Sequence, residues 1–140
     1  MIRIYKSLLT VVLLIMITGC SIPEFYLDMH YPSSINLNEP LPIDIFITNS
    51  RIGTTVHIES IQLSGELVTH SQLVPGHTGL YRRLEGSDSI IAEPNRRLIQ
   101  FETGTFSLTI RPEHQGVFQG NFTFYMNGGQ ISREITVEVK

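Results

Sequence analysis

Apolar and polar residues alternate along much of the chain after residue 24. The segments 25–31, 41–47 and 106–110 carry apolar side chains at every second position, which is the period of a β-strand with one buried face. No stretch after residue 20 shows helical periodicity over ten or more residues. Roughly eight short strands separated by turn residues favour an all-β, antiparallel sandwich or barrel.

The last part of the chain gives the clearest pattern. Two alternating segments, 118–126 and 131–139, flank Gly128-Gly129, a two-residue hairpin signal. A turn at these glycines would place Arg133 opposite Phe124. It also predicts three apolar cross-strand pairs: Met126 with Ile131, Phe122 with Ile135, and Phe118 with Val139. All the apolar residues of both strands would then share one face.

Three details refine the strand predictions. The apolar parity slips by one residue between Ile58 and Ile61, which predicts a bulge near Glu59-Ser60. Pro42 indicates that at least the start of the strand from Leu41 lies at a sheet edge or outside the ladder. The segment 67–74 is a weaker strand prediction, because its apolar residues fall on both parities.

The region 65–97 is rich in turn residues and has the least regular pattern, so we expect binding loops here. It contains two arginine doublets, Arg82-Arg83 and Arg96-Arg97. Guanidinium groups bind carboxylates and phosphates bidentately, so the doublets are candidate binding residues. The alternative is that they are solvated loop ends that pair with nearby acids.

The first twenty residues have the order of a secretory signal. Arg3 and Lys6 precede an apolar run from Leu8, and the run closes with Ile17-Thr18-Gly19-Cys20. That tetrapeptide resembles the lipobox of bacterial lipoproteins. The resemblance implies a signal peptide over 1–19, a diacylglycerol on the sulfur of Cys20 and a lipidated tether over 20–24. A β-sandwich domain would then occupy 25–140.

The same resemblance predicts where the protein resides. Ser21 stands where an aspartate tends to hold Gram-negative lipoproteins in the inner membrane. A lipid-anchored position in the bacterial cell envelope is therefore expected, on the outer membrane facing the periplasm, or on the cell surface of a Gram-positive source. The apolar run is about half the length that a spanning helix needs. The short tether keeps the domain close to the lipid.

The net charge of the mature chain bears on one class of partner, nucleic acid. Removing Arg3 and Lys6 with the leader leaves 8 of the 10 basic residues against 13 acidic residues, a formal charge of −5 with histidine neutral. This sign disfavours binding to nucleic acid.

Catalytic and metal-binding motifs are absent from the sequence. Five histidines show no His-x-His or His-x-x-x-His spacing, and Cys20 is the one cysteine. No G-x-S-x-G elbow or phosphate-binding glycine loop is present. The sequence therefore predicts no metal, no cofactor, no catalytic residue and no enzyme activity, although a sandwich could still bring two histidines together from distant loops.

His114-Gln115-Gly116-Val117-Phe118 resembles the D-x-G-x-Y turn before a late strand of immunoglobulin-like domains, which implies an immunoglobulin-like sandwich. The Cys, Trp and Cys core of antibody domains is missing.

The leading hypothesis is a non-catalytic lipoprotein that binds another envelope protein as an accessory or assembly factor. The alternative is a receptor for a small ligand or glycan that uses the 65–97 loops. The first should show an apolar patch or unpaired edge strand, and the second a cleft with an aromatic or arginine floor.

Overall fold

Residues 25–75, 81–127 and 129–140 are described by a computed structural model of the protein. This part of the chain forms eleven strands and one four-residue helix. In chain order they are β1 (Phe25–His30), β2 (Ser34–Ile35), β3 (Leu41–Asn49), β4 (Val56–Ser64), α1 (Glu66–Thr69), β5 (Ser71–Leu73), β6 (Tyr81–Arg83), β7 (Ser89–Ala92), β8 (Arg96–Leu98), β9 (Thr103–Pro112), β10 (Gly116–Met126) and β11 (Gly129–Val139).

The strands form two sheets that pack face to face. Sheet I has the order β1-β3-β9-β5, and sheet II has the order β2-β11-β10-β4-β7-β6, with β8 also paired to β4. Every described strand pair is antiparallel except β2 with β11, which is parallel. The predicted all-β sandwich is confirmed.

The core lies between the sheets because the alternating residues of their strands face each other. In β3 the side chains of Leu41, Ile43 and Ile45 are fully buried, and in β10 so are those of Phe122 and Phe124. The intervening residues of β3 are half-buried or exposed. Period-two patterning thus assigns one face of each long strand to the core.

Two of the finer predictions are confirmed. Ser60 pairs with Tyr125 while Ile58 pairs with Met126, so Glu59 is the extra residue of a bulge in β4. The first three residues of β3, 41–43, lack a partner on β1, because the β1 ladder begins only at Asp44. Pro42 therefore lies in the part of β3 that pairs with β9 alone.

The predicted register of the closing hairpin is wrong by two residues. Met126 pairs with Gly129, so Phe122 lies opposite Arg133 and Phe118 opposite Val137. The residues that connect these partners are Asn127 and Gly128, and Asn-Gly is a stronger two-residue hairpin signal than Gly-Gly. A shift of two residues preserves side-chain parity, so the predicted apolar face is unchanged.

The region 67–74 does not form one strand. Leu67 and Val68 are adjacent and both buried, because they lie in α1, and β5 follows as a three-residue strand. The rest of the 65–97 region is more regular than the sequence indicated, since β6, β7 and β8 all join sheet II. Residues 76–80, which include His77, lie outside the described residues.

No helix within the described ranges is long and apolar enough to cross a membrane. The lipobox, the signal peptide and Cys20 lie outside those ranges.

Candidate functional site: an open side of the sandwich

One side of the sandwich is bounded by two strands whose outer edges are largely unpaired. Within the described residues, β1 pairs only with β3. In the same part of the chain the outer side of β11 pairs only with β2, and that ladder covers Glu138 and Val139. The nine residues Gly129–Val137 of β11 therefore present a free edge along most of the strand.

The hydrogen-bonding direction along β11 identifies the free donors. The backbone N–H of Glu138 donates outward to the Ser33 carbonyl at 2.9 Å, and that of Lys140 donates to the Ile35 carbonyl at 3.0 Å. Backbone groups of a strand alternate in direction from one residue to the next. The N–H groups of the remaining even-numbered residues therefore point away from β10 as well: Gln130, Ser132, Glu134 and Thr136.

Phe25 and Leu27 of β1 meet Ile131 of β11 in a crevice between the two free edges, and we call the half-buried apolar side chains along these edges the apolar seam. It consists of half-buried side chains that pack against the core, namely Phe25, Leu27, Met29 and Tyr31 on or next to β1, and Ile131 on β11. Near the start of β1 the seam opens into a small cleft of about 90 Å³ lined by Phe25, Arg51, Val56, Met126, Asn127, Gly129 and Gln130. The seam and the free β11 edge together form the open side.

Arg133 is placed on the core-facing parity of β11, between Ile131 and Ile135, yet its side chain is exposed. Its partner on β10 is Phe122, not the Phe124 that the sequence pattern suggested. A charged residue directed inward on an edge strand is one way in which proteins limit indiscriminate strand pairing. Arg133 is a charged residue of this kind on the β11 edge.

The arginine doublet on β6 has two different environments. Arg82 is exposed and lies 3.5 Å from the Glu93 carboxylate. Arg83 instead donates from Nη2 to the backbone carbonyls of Val68 at 3.1 Å and Ser71 at 2.6 Å. Arg83 thus ties β6 of sheet II to α1 and to the start of β5 in sheet I, which is a structural role.

The two arginines of the β8 doublet also have different environments. Arg96 donates to Glu102 Oε1 at 3.0 Å, while Arg97 is exposed and lies opposite His57. The Ile99 backbone N–H donates to Glu102 Oε2 at 2.9 Å. This hydrogen bond, together with that from Arg96, lowers the pKa of Glu102 below its ordinary value. Of the four nearby acids that the solvated-loop interpretation involves, Glu85, Asp88, Glu93 and Glu102, the structure pairs Glu93 with Arg82 and Glu102 with Arg96.

The other groups that could bind a metal or take part in catalysis are histidines and a buried hydroxyl. Two histidines from distant loops meet, since the rings of His70 and His114 are 5.0 Å apart and His70 also contacts Phe118 at 4.8 Å. No group of three or more His, Cys, Asp or Glu residues in the described part of the chain could hold a metal ion. Tyr81 is largely buried, and its hydroxyl makes no hydrogen bond within the described residues. Burial raises the pKa of this hydroxyl.

Sequence reasoning did not identify the open side. The pattern of β11 shows a half-buried strand, but strand order decides whether such a strand is central or at an edge, and that order is set by long-range pairing. Arg133 was the available signal, because it is a charge within an otherwise apolar face.

No protein-family model and no curated protein matches the sequence. Solved structures do resemble the fold. The sporulation control protein Spo0M of Bacillus subtilis matches with a TM-score of 0.56 and 12% identity, over 85% of this chain and 50% of that one. A cohesin module from a Clostridium perfringens family 33 glycoside hydrolase matches with a TM-score of 0.50 and 7% identity, over 83% and 98%.

The CARDB domain of a Pyrococcus furiosus protein, solved in complex with di-metal ions, has a TM-score of 0.49 and 12% identity, over 86% of this chain and 90% of that domain. At such low identities a likeness establishes architecture and not activity. Together with the two-sheet topology, the likeness to Spo0M and to the cohesin module confirms the predicted fold class. The described chain is a single immunoglobulin-like β-sandwich.

Proposed function

We propose that this protein is a lipid-anchored lipoprotein of the bacterial envelope whose non-catalytic sandwich binds another envelope protein. The observation that supports this proposal best is the free edge of β11 beside the apolar seam. An unpaired edge can accept an added strand from a partner protein, whereas a small-ligand receptor needs a cleft.

The open side suits an extended segment of a partner. Four backbone N–H groups of β11 face outward, and an added strand would accept hydrogen bonds from them. Alternate side chains of that strand would cover the half-buried seam residues, such as Leu27 and Ile131. Backbone bonds would supply affinity, while the seam and Arg133 would select the partner's side chains.

The anchor rests on Cys20, the one residue able to form the thioether. Replacing it, in Cys20→Ser, should leave an uncleaved or mislocalised precursor. Metabolic labelling with a clickable palmitate analogue tests this expectation. Undiminished labelling of Cys20→Ser would refute the lipoprotein assignment.

The edge is tested by removing one outward donor without disturbing the hairpin. Ser132 is exposed and its N–H points away from β10, so Ser132→Pro removes a backbone donor to an added strand. It also removes the 3.2 Å hydrogen bond between the Ser132 and Thr123 hydroxyls, which the alanine variant removes as well. Ser132→Ala retains the N–H and is the matched control. In pull-downs from solubilised envelope, Ser132→Pro should lose the partners that wild type and Ser132→Ala capture. Equal recovery by all three baits would show that binding does not use this edge.

A small-ligand or glycan receptor that uses the 65–97 loops is less well supported. Three of the four arginines invoked for it have partners within the protein: Glu93, the carbonyls of Val68 and Ser71, and Glu102. Charge reversal at Arg82 and Arg97, which leaves the contacts of Arg83 intact, should therefore leave partner capture unchanged. Loss of capture in that double variant would return the binding site to these loops.

A further inference from the structure

Three large apolar side chains are exposed together at one end of the sandwich. They lie on the β3–β4 loop, 50–55, and the β8–β9 loop, 99–102, which we call the apolar tip. Ile52 is 76% exposed, Ile99 66% and Phe101 70%. Large apolar side chains grouped on neighbouring loops indicate an interaction site, whereas single exposed ones do not.

The two loops are held against each other by Asn49, which is fully buried. Its backbone carbonyl accepts from Phe101 N at 2.7 Å, and its backbone N–H donates to the Glu102 carbonyl at 3.0 Å. Its side-chain amide donates to the carbonyls of Leu98 and Thr54, both at 2.9 Å. The tip is therefore a braced structure that presents its apolar side chains in a defined arrangement.

Phe101 adopts a left-handed backbone conformation, with φ of 63°. That conformation is unfavourable for a bulky residue and is usually occupied by glycine or asparagine. Here it does not serve the core, because the ring is exposed. Backbone strain that presents an aromatic ring to the surroundings is typical of a functional contact.

The tip lies where the chain enters the domain from its N-terminal side. Phe25, the first described residue, pairs with Asn49, the residue that braces the tip. Phe25 lies five positions after Cys20, a span of at most about 18 Å when fully extended. A lipid on Cys20 would thus hold this end of the sandwich against the bilayer.

The charges of the tip are compatible with a membrane surface. Its two loops contain one basic residue, Arg51, and one acidic residue, Glu102. The Glu102 carboxylate is turned toward the Ile99 N–H and Arg96 at 2.9 and 3.0 Å. A carboxylate that already has these partners presents less unpaired charge to lipid.

We propose that the apolar tip inserts into the interfacial region of the bilayer that holds the anchor, with Ile52, Ile99 and Phe101 among the acyl chains. This inference rests on the proposed lipidation of Cys20. The acyl chains would supply attachment, and the tip would set orientation, with the strands directed away from the membrane. The free β11 edge would then run outward from the bilayer, open to a partner alongside.

The test uses the full mature lipoprotein in vesicles of phosphatidylethanolamine and phosphatidylglycerol. With Cys20 acylated, Ile99→Cys provides the one free thiol, which is labelled with an environment-sensitive nitrobenzoxadiazole dye. Val117→Cys is the matched control. Val117 is also a large apolar residue, 62% exposed, but it lies nine residues along β10 from the tip end, about 30 Å away.

The dye at position 99 should show blue-shifted emission, protection from aqueous iodide and quenching by brominated lipid, and the dye at 117 should show none of these. Equal accessibility to iodide at both positions, in protein that floats with the vesicles, would overturn the insertion and leave the anchor intact. Failure to float, together with absence of palmitate label, would overturn the anchor and the insertion with it.

A second variant separates insertion from attachment. Ile52→Ser with Phe101→Asn removes two apolar side chains, and asparagine tolerates the left-handed conformation at 101. With the dye at 99, this protein should still float but should lose its protection from iodide. Retained protection would show that the tip side chains are not the inserting groups.

Discussion

The side-chain nitrogen of Asn49 lies 2.9 Å from the carbonyl oxygen of Leu98 and at the same distance from that of Thr54. Asn49 closes strand β3, Leu98 closes β8 in the opposite sheet, and Thr54 lies in the loop between β3 and β4. The buried amide thus links the end of β8 to the β3–β4 loop, and the Asn49 backbone adds the β8–β9 loop. Buried polar groups with this many partners are costly to remove, because their partners lose hydrogen bonds away from water.

Replacing Asn49 with alanine should therefore destabilise the fold by about 1–3 kcal/mol, since two carbonyls and the Arg51 N–H would each lose a partner. Asn121→Ala, on the exposed face of β10, is the control and should cost less than about 0.5 kcal/mol. Thermal unfolding of the mature protein in mild detergent measures both. Equal melting temperatures would contradict the bracing role of Asn49.

Side-chain parity in the closing hairpin predicts a second contrast. Phe122→Ala and Ile135→Ala should each lower the free energy of unfolding by about 2–5 kcal/mol, because both side chains fill the core. Thr123→Ala and Thr136→Ala, on the opposite face, should cost less than about 1 kcal/mol. Chemical denaturation of the four variants checks this, and similar losses on both faces would mean that sheet II is covered on its outer side.

Neighbouring arginines on β6 should respond differently to truncation. Arg83→Ala removes the donors to the Val68 and Ser71 carbonyls and should cost about 1–3 kcal/mol. Arg82→Ala loses only an exposed ion pair and should cost less than about 0.5 kcal/mol. Melting curves of the two variants measure the stability that each loses. A larger loss for Arg82→Ala would reverse the assigned roles.

Acidification should weaken the tip through Glu102. Its folded-state pKa is lowered by the Ile99 N–H and by Arg96, so the stability it contributes is present above its unfolded pKa and is lost as pH falls through the folded value. The melting temperature of wild type should therefore exceed that of Glu102→Gln at neutral pH, and the gap should close in the acid range. A gap that does not change with pH would show that the carboxylate contributes no pH-dependent stability.

Local pattern was sufficient to predict the long strands and the face of each that is buried, but not the short elements α1 and β5 to β8. Alternation assigned the core face of β3, β9, β10 and β11, and a one-residue slip located the bulge at Glu59, since both follow from the two-residue period of a strand. The hairpin register was misjudged because two candidate turns, Asn127-Gly128 and Gly128-Gly129, overlap and both preserve parity. Local sequence cannot distinguish registers that bury the same side chains.

The sequence by itself determined that the chain is an all-β protein with one buried face per long strand, and it supplied the lipobox-like segment from which membrane attachment is predicted. Only the tertiary structure decided which strands lie at the edges, which arginines are structural and which exposed apolar residues are grouped at one end. These properties depend on pairs far apart in the chain, such as Asn49 with Leu98, and on strand order. Many strand orders satisfy the same alternation, so the choice among them is made by packing of the whole core.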